Sequence, residues 1–263
     1  MLELAHPAWR STLQRGLHAM NEAQPGYLPE LLDGPFLPTE GRLFAAFAVA
    51  PQEIRHVLIG EGPYPRAASA TGVCFMDGAV GSLWSATGLS KAVNRATSLR
   101  NFMKMLMVAD GRLAPELTTG DALAGIAADA NRPGSLLIQT LPDLQANLIA
   151  HGFLLLNAAL VFRLHVPPSR EARAWQPFLQ IVLDALAVTA RHSMRTPADL
   201  VLWGKVAAQV ESLTLASDVP RIVSEHPYNL TFIVNPTMHS FFKPMALLGR
   251  RNTDPIPDKN TQV

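Results

Sequence analysis

Cysteine is nearly missing from this chain: Cys74 is the only one in 263 residues. A single thiol excludes an internal disulfide, a cysteine-ligated iron–sulfur cluster and a multi-cysteine zinc site. Buried among apolar neighbours it reads as a small hydrophobe. Charge is sparse as well. Charged residues make up 16% and the formal net charge is +1, with no block of Lys and Arg. Composition therefore does not announce a nucleic-acid binder, although a few local cations are enough for a phosphate track. No run of ~18 apolar residues is present, so no membrane span is expected. The start, MLELAHPAWRSTLQRG, lacks a charged head followed by an apolar stretch, which predicts no secretion signal and a soluble, cytoplasmic protein. Several catalytic signatures are missing too. There is no Gly-x-x-x-x-Gly-Lys-Ser/Thr loop and no Gly-x-Ser-x-Gly elbow. The eight histidines show no His-x-x-x-His spacing. Gly60-Glu61-Gly62 follows an apolar run, but the third glycine of a dinucleotide fingerprint is lacking and Pro63 would interrupt the helix.

What is present is apolar, at 48%, and it is ordered. Four short apolar runs each end in a special residue: HVLIG (56–60), GFLLLN (152–157), DLVLWG (199–204) and PRIVSEHP (220–227). Runs of this kind read as strands of a parallel sheet buried on both faces. Helical spacing appears between them, in SLRNFMKMLMVA (98–109), where Ser98 stands as an N-cap, in EARAWQPFLQIVLDALAVTARH (171–192) and in KVAAQVESL (205–213). The alternation predicts an α/β fold, three-layer α/β/α around a central four-stranded, mostly parallel sheet. Residues 1–250 read as one domain. The Gly-, Ala-, Asp- and Pro-rich stretch 111–135 reads as a loosely structured excursion, and 251–263 as a frayed tail. Ligands of open α/β sheets bind outside the carboxyl ends of the strands. Topology therefore gathers the Gly60–Tyr64 loop, Asn157, Gly204 and the Ser-Glu-His-Pro run at one place.

In order and spacing, these loops resemble the uracil-DNA glycosylase superfamily, most closely its family 1 enzymes. HVLIGEGPYP followed by TGVCF is similar to the water-activating loop Gly-Gln-Asp-Pro-Tyr-His and its Gly-Leu-Cys-Phe continuation. SLRN (98–101) resembles the end of Pro-Pro-Ser-Leu-Lys-Asn, and GFLLLNAALVFR the Leu-Leu-Leu-Asn strand. LVLWGKVAAQ resembles the Leu-Trp-Gly-Ser segment, and HPYNLT (226–231) the His-Pro-Ser-Pro-Leu-Ser loop. The resemblance runs from about Pro38 to about Arg251 and implies a glycosylase-like fold, with DNA containing uracil or abasic sites as partner. It also implies free uracil as product, a monomer, and neither cofactor nor metal. Position by position, Phe75 would stack on a flipped pyrimidine and Tyr64 would fill the space of a thymine methyl. Asn157 would present its amide to the O4 and N3 edge, and His226 would donate to O2 as charge develops. Leu230 would wedge into the gap left by the extruded nucleotide. Ser98, Gly204 and Lys205 would follow the phosphate backbone.

The resemblance breaks at the chemistry. Gly62 stands where the family has its aspartate, and Pro65 replaces the histidine after the tyrosine. In the clamp, Tyr228 replaces serine and Asn229 replaces proline. Losing a positioned base costs ~10²–10⁴ in rate, less than the total acceleration of most enzymes. Glu61 is the nearest substitute carboxylate, and Asp77 the next. Two functions from different classes follow. One is a glycosylase with weakened or rewired base catalysis, using His226 and Glu61. The other is a catalytically impaired protein that binds uracil or abasic DNA. Altered damage specificity and a role away from DNA also stay open. Sensitivity to the protein inhibitor of family 1 enzymes stays open, because Tyr228, Asn229 and Lys205 alter the surface it would meet. Taken singly, each residue has a plainer reading: Gly60-Glu61-Gly62-Pro63 a tight turn, Asn157 a strand stop, Phe75 and Leu230 core, His226 a structural histidine and Lys205 a solvated helix start.

Overall fold

The computed structural model describes residues 2–211, 213–215 and 219–251. The expected tail therefore lies, from residue 252 onward, outside the described residues. Along the chain run α1 (Arg10–Ala23), α2 (Tyr27–Leu32), β1 (His56–Gly60), β2 (Trp84–Ser85), β3 (Gly88–Leu89), α3 (Lys91–Arg95), α4 (Thr97–Ala109), α5 (Asp121–Asn131) and α6 (Leu141–Ala150). β4 (Phe153–Asn157), α7 (Pro168–His192), β5 (Asp199–Trp203), α8 (Val206–Glu211), β6 (Arg221–Ser224) and α9 (Pro236–Phe242) complete it. Contacts divide the chain into two compact units, a division the sequence does not announce. One takes residues up to Ala79 with Ile149–His226, and the other takes Val80–Leu148 with the chain from Pro227.

The first unit holds a four-stranded parallel sheet in the order β4-β1-β5-β6, flanked by helices. β1 is central. Gly60 pairs with Asn157 on one side, and Ile59 with Leu202 on the other. Every residue of β4 is buried, as a run of Phe and Leu covered on both faces requires. β6 departs from that expectation. It is an edge strand with alternating exposure, Val223 standing 51% exposed, whereas β4, the opposite edge, is buried throughout. α7 packs on α1, Phe178 lying against Gly16, and buries Trp175, Phe178, Val182 and Leu186, spaced at three and four residues. The helix starts three residues before the sequence pattern does, with Pro168 at its first position, where a missing N–H costs nothing. Trp9, Phe44, Phe47 and Phe178 interlock beside it, with Trp9 and Phe47 edge-to-face at 5.2 Å.

The second unit carries the β2–β3 hairpin, which sequence patterning did not reveal, and the helices α3, α4, α5, α6 and α9. α4 is buried over most of its length and meets α9 through an edge-to-face pair, Phe102 with Phe242 at 5.2 Å. Two expectations are corrected here. Ser98 is not the N-cap of α4. Ala96 occupies that position without a side-chain bond, and Ser98 lies in the first turn, while Ser90 caps α3 by accepting from the Val93 N–H. The stretch 111–135 is not merely loose either. α5 forms inside it because Leu123, Ile126, Ala127 and Ala130 make a buried stripe at helical spacing, which the surrounding Gly, Asp and Pro obscured.

Candidate functional site

The sheet order places a switch at its centre. From β1 the chain goes to β4 on one side, then returns to β5 on the other. In an open α/β sheet the crevice at such a reversal, beyond the carboxyl ends, is where ligands sit. The elements of the first unit deliver Gly60–Tyr64, Asn157, Gly204 and His226 to this end.

Parallel pairing continues past the strands. The Ala158 N–H donates to the Gly60 carbonyl at 2.7 Å and the Ala159 N–H to the Glu61 carbonyl at 3.2 Å, tying the first loop over the second. Gly60 is then close enough that a Cβ there would lie 2.4 Å from Cys74 Sγ and 3.0 Å from Asn157 Oδ1. Asn157 is 5% exposed, yet no hydrogen bond from the described residues reaches its carboxamide, which is not sealed from solvent. A buried polar group costs stability unless it is paired, so this carboxamide stands apart from the other buried polar groups of the sheet's carboxyl end.

Phe75, next in sequence to Cys74, has an unusual backbone, φ +67°, rare for an aromatic residue. The Thr71 hydroxyl donates to the Met76 carbonyl at 2.9 Å, and the Cys74 N–H bonds the Leu155 carbonyl at 3.0 Å, holding this turn onto β4. The half-buried Phe75 ring meets Trp203 edge-to-face at 5.3 Å. Strain of this kind persists only where surroundings over-determine it, and it gathers at binding sites. Burial, with smaller contributions from Cys74 and Asp77, raises the Tyr64 hydroxyl above its ordinary range, so it stays a protonated phenol. Burial also pushes the Cys74 thiol up to about 12, an inert group, as the sequence suggests.

His226 follows β6 and is half-buried. Burial lowers its pKa below the usual histidine value, with the negative charge of Glu61 acting in the opposite direction. The ring is therefore neutral at pH 7, carrying one N–H to donate. Gly204 seats it. At φ +61° a side chain would be strained, and a Cβ would approach His226 Cβ to 2.9 Å. Gly62, by contrast, has no such need. A Cβ there makes ordinary contact with the Ala159 carbonyl oxygen at 3.6 Å. Glu61 and Gly62 line a half-open cavity of about 220 Å³ with Pro65, Ala159, Val166 and Glu171.

Asp77 is excluded as a spare carboxylate. It is buried, accepts from the Ala79 N–H at 2.9 Å and faces Arg66 at 3.7 Å, so its charge builds the loop. Lys205 is exposed just ahead of α8. In the second unit Ser98 is half-buried in the first turn of α4, while Tyr228 and Leu230 are 66% and 69% exposed. Trp203 and Thr71 carry no weight in the sequence reading. The Trp of Leu-Trp-Gly is a visible signal, whereas Thr71 gives none. Among the described residues no group of three or more His, Cys, Asp or Glu side chains could hold a metal ion, and no helix is long and apolar enough to cross a membrane.

Known proteins resemble this chain in sequence and in fold. The crystal structure of UNG from Nitratifractor salsuginis is 38% identical to this chain, covers 95% of it and 96% of its own chain, and superposes with a TM-score of 0.83. The uracil-DNA glycosylase of Corynebacterium efficiens is 26% identical over 227 residues, 86% of this chain and 78% of that protein. That of Mycobacterium ulcerans is 24% identical over 97% of this chain and 95% of its own. The mimivirus uracil-DNA glycosylase, 17% identical with a TM-score of 0.52 over 85% of this chain and 70% of its own, shares the fold. No family model matches the chain.

Proposed function

Because the chain belongs to the uracil-DNA glycosylase superfamily, we propose that it excises uracil from DNA, leaving an abasic site, and does so with a rewired base. The observation that carries this reading is the Asn157 carboxamide, 5% exposed and without a hydrogen-bond partner among the described residues. One acceptor and two donors on a rigid strand end match the adjacent O4 and N3–H of a uracil edge. The Phe75 ring offers a flat face, and Tyr64 takes up the room a 5-methyl group would need.

In the reaction the C1′–N1 bond breaks and its electron pair leaves with the base, spreading onto O2. A neutral His226 donates its N–H there, stabilising the anion without surrendering the proton. Water then adds to C1′ of the oxocarbenium-like sugar and gives its proton to a carboxylate. With glycine at 62, Glu61 is the carboxylate proposed for that task. Its negative charge lies near enough to act on His226, which supports this role. The reading rests on no cofactor.

A single-turnover excision assay on a uracil-containing oligonucleotide tests this. Wild type is expected to excise. Glu61→Gln is expected to lose ~10²–10⁴ in rate, the usual contribution of a positioned base. Gly62→Asp, whose Cβ meets only ordinary contacts, is expected to accelerate excision. Absence of excision by wild type defeats the reading. The glycine and the open cavity beside it support a second one, a protein that binds uracil or abasic DNA without turnover, and tight binding of abasic DNA by an inactive wild type would establish it.

A further inference from the structure

The ladder between β1 and β5 stops one residue short of both strand ends. Its last pair is Ile59 with Leu202, while Gly60 continues on Asn157 and Trp203 continues on Ser224. The sheet therefore parts at its carboxyl end, and each side of the parting brings its own residues to the site. β1 and β4 bring Gly60 and Asn157. β5 brings Trp203 and, one residue on, Gly204, which seats His226.

Trp203 has no part in the reaction derived above. It is 4% exposed and ends a strand that is buried from Leu200 onward. Its indole meets the Phe75 ring at 5.3 Å, with the two planes at 73°. The Phe75 backbone, at φ +67°, is held from both sides: the Thr71 hydroxyl bonds the Met76 carbonyl and the Cys74 N–H bonds the Leu155 carbonyl. Neither bond touches the ring. A half-buried side chain that must be ordered when a ligand arrives loses affinity to that ordering. An edge-to-face partner on a rigid strand end removes part of the loss beforehand, because the positive rim of one ring rests on the negative face of the other. Such a T-shaped contact takes up at most one face of the phenyl ring, which is compatible with a base stacked on the other.

Resting on the glycosylase reading above, we propose that Trp203 is a positioning residue for base recognition, holding the Phe75 ring in its stacking orientation before uracil arrives. Trp203 touches the ring and not the base. Its contribution is to binding, and it reaches the base only through Phe75.

The test measures affinity for free uracil by NMR titration, and KM and kcat on a uracil oligonucleotide, in Trp203→Leu, Phe75→Leu and the double variant. Trp203→Leu is expected to weaken uracil binding roughly two- to ten-fold, the range of one aromatic pair. KM should rise by the same factor, with kcat kept and the His226 titration unmoved. In the Phe75→Leu background the same change should cost nothing further, since the ring it serves is gone. Trp203→Phe restores an aromatic rim and should recover most of the affinity. Equal losses with and without the Phe75 ring, or a fall in kcat at unchanged KM, would reveal general packing and overturn the proposal. A check on wild type decides the matter even if Trp203→Leu fails to fold. Proton contacts between the Phe75 and Trp203 rings should be present in the free protein and persist when uracil binds, and their loss on binding would overturn the proposal too. A wild type that binds uracil with this coupling but never excises would defeat the glycosylase reading alone. One that excises without the coupling would defeat only the role of Trp203, and one that neither binds uracil nor excises would defeat both.

Discussion

A methyl group added at Gly60 would sit 2.4 Å from Cys74 Sγ and 3.0 Å from Asn157 Oδ1, so neither neighbour can keep its place. Overpacking of this kind costs about 1–3 kcal/mol, and Gly60→Ala is expected to lose that much in a denaturant melt. Cys74→Ala in the same chain should recover part of it, because Cys74 Cβ lies 3.7 Å from the added carbon and only the sulfur collides. The contact with Asn157 remains, so base recognition should stay impaired in the double variant. A second residue-scale outcome concerns His226. Burial lowers its pKa and Glu61 partly offsets this. Glu61→Gln should therefore drop the His226 titration further, read by NMR of the ring protons. A rise, or no change, would separate Glu61 from the imidazole and remove the support for its proposed role.

The elements that carry these residues are held by devices of their own. The first turn of α7 carries Glu171, 1% exposed, whose carboxylate accepts from Arg163 Nε at 2.7 Å and from the Tyr27 hydroxyl. Trp175 Nε1 donates to the Tyr27 oxygen at 2.8 Å, and Arg163 Nη1 reaches Glu30 at 2.9 Å. This ties α2, α7 and the segment after β4 together, and Glu171 also lines the cavity beneath the Glu61–Pro65 loop. Truncation to Glu171→Ala leaves the Arg163 charge, 9% exposed, without its inner partner. Breaking a buried pair this way costs about 3–5 kcal/mol, to be read as a shift in the urea midpoint. Glu171→Gln keeps the shape and an acceptor, and should cost less.

At the scale of the whole molecule, pH acts through the same burial. His56 and His226 both titrate below the usual histidine value, chiefly because they are desolvated, with Asp199 opposing the shift at His56. The unfolded chain therefore binds more protons than the folded one between the folded values and the ordinary one. The stability these two rings contribute is complete above about pH 6.5 and is lost as pH falls through their folded values. Tm is expected to be flat from about pH 7 to 8 and to decline below about pH 6.5, with a shallower decline in His226→Gln. A Tm that rises on acidification would reverse the sign and contradict the burial of these rings.

The sequence by itself determined the strands and which residues end them. HVLIG, FLLLN, DLVLW and RIVS are strands in the fold, and their terminal residues assemble where an open sheet binds ligands. Apolar continuity and strand-end residues are local properties, so a linear reading reaches them. Burial depth is not local. Only the tertiary structure decided that β6 is an exposed edge, that Asp77 is consumed by Ala79 and Arg66, and that Gly204 is a seat for His226. The same holds for Asn101, whose Nδ2 donates to the Pro227 carbonyl 126 residues away. Hydrogen bonds and close contacts between distant segments depend on where folding brings backbone and side chain together. No periodicity along the chain encodes that distance.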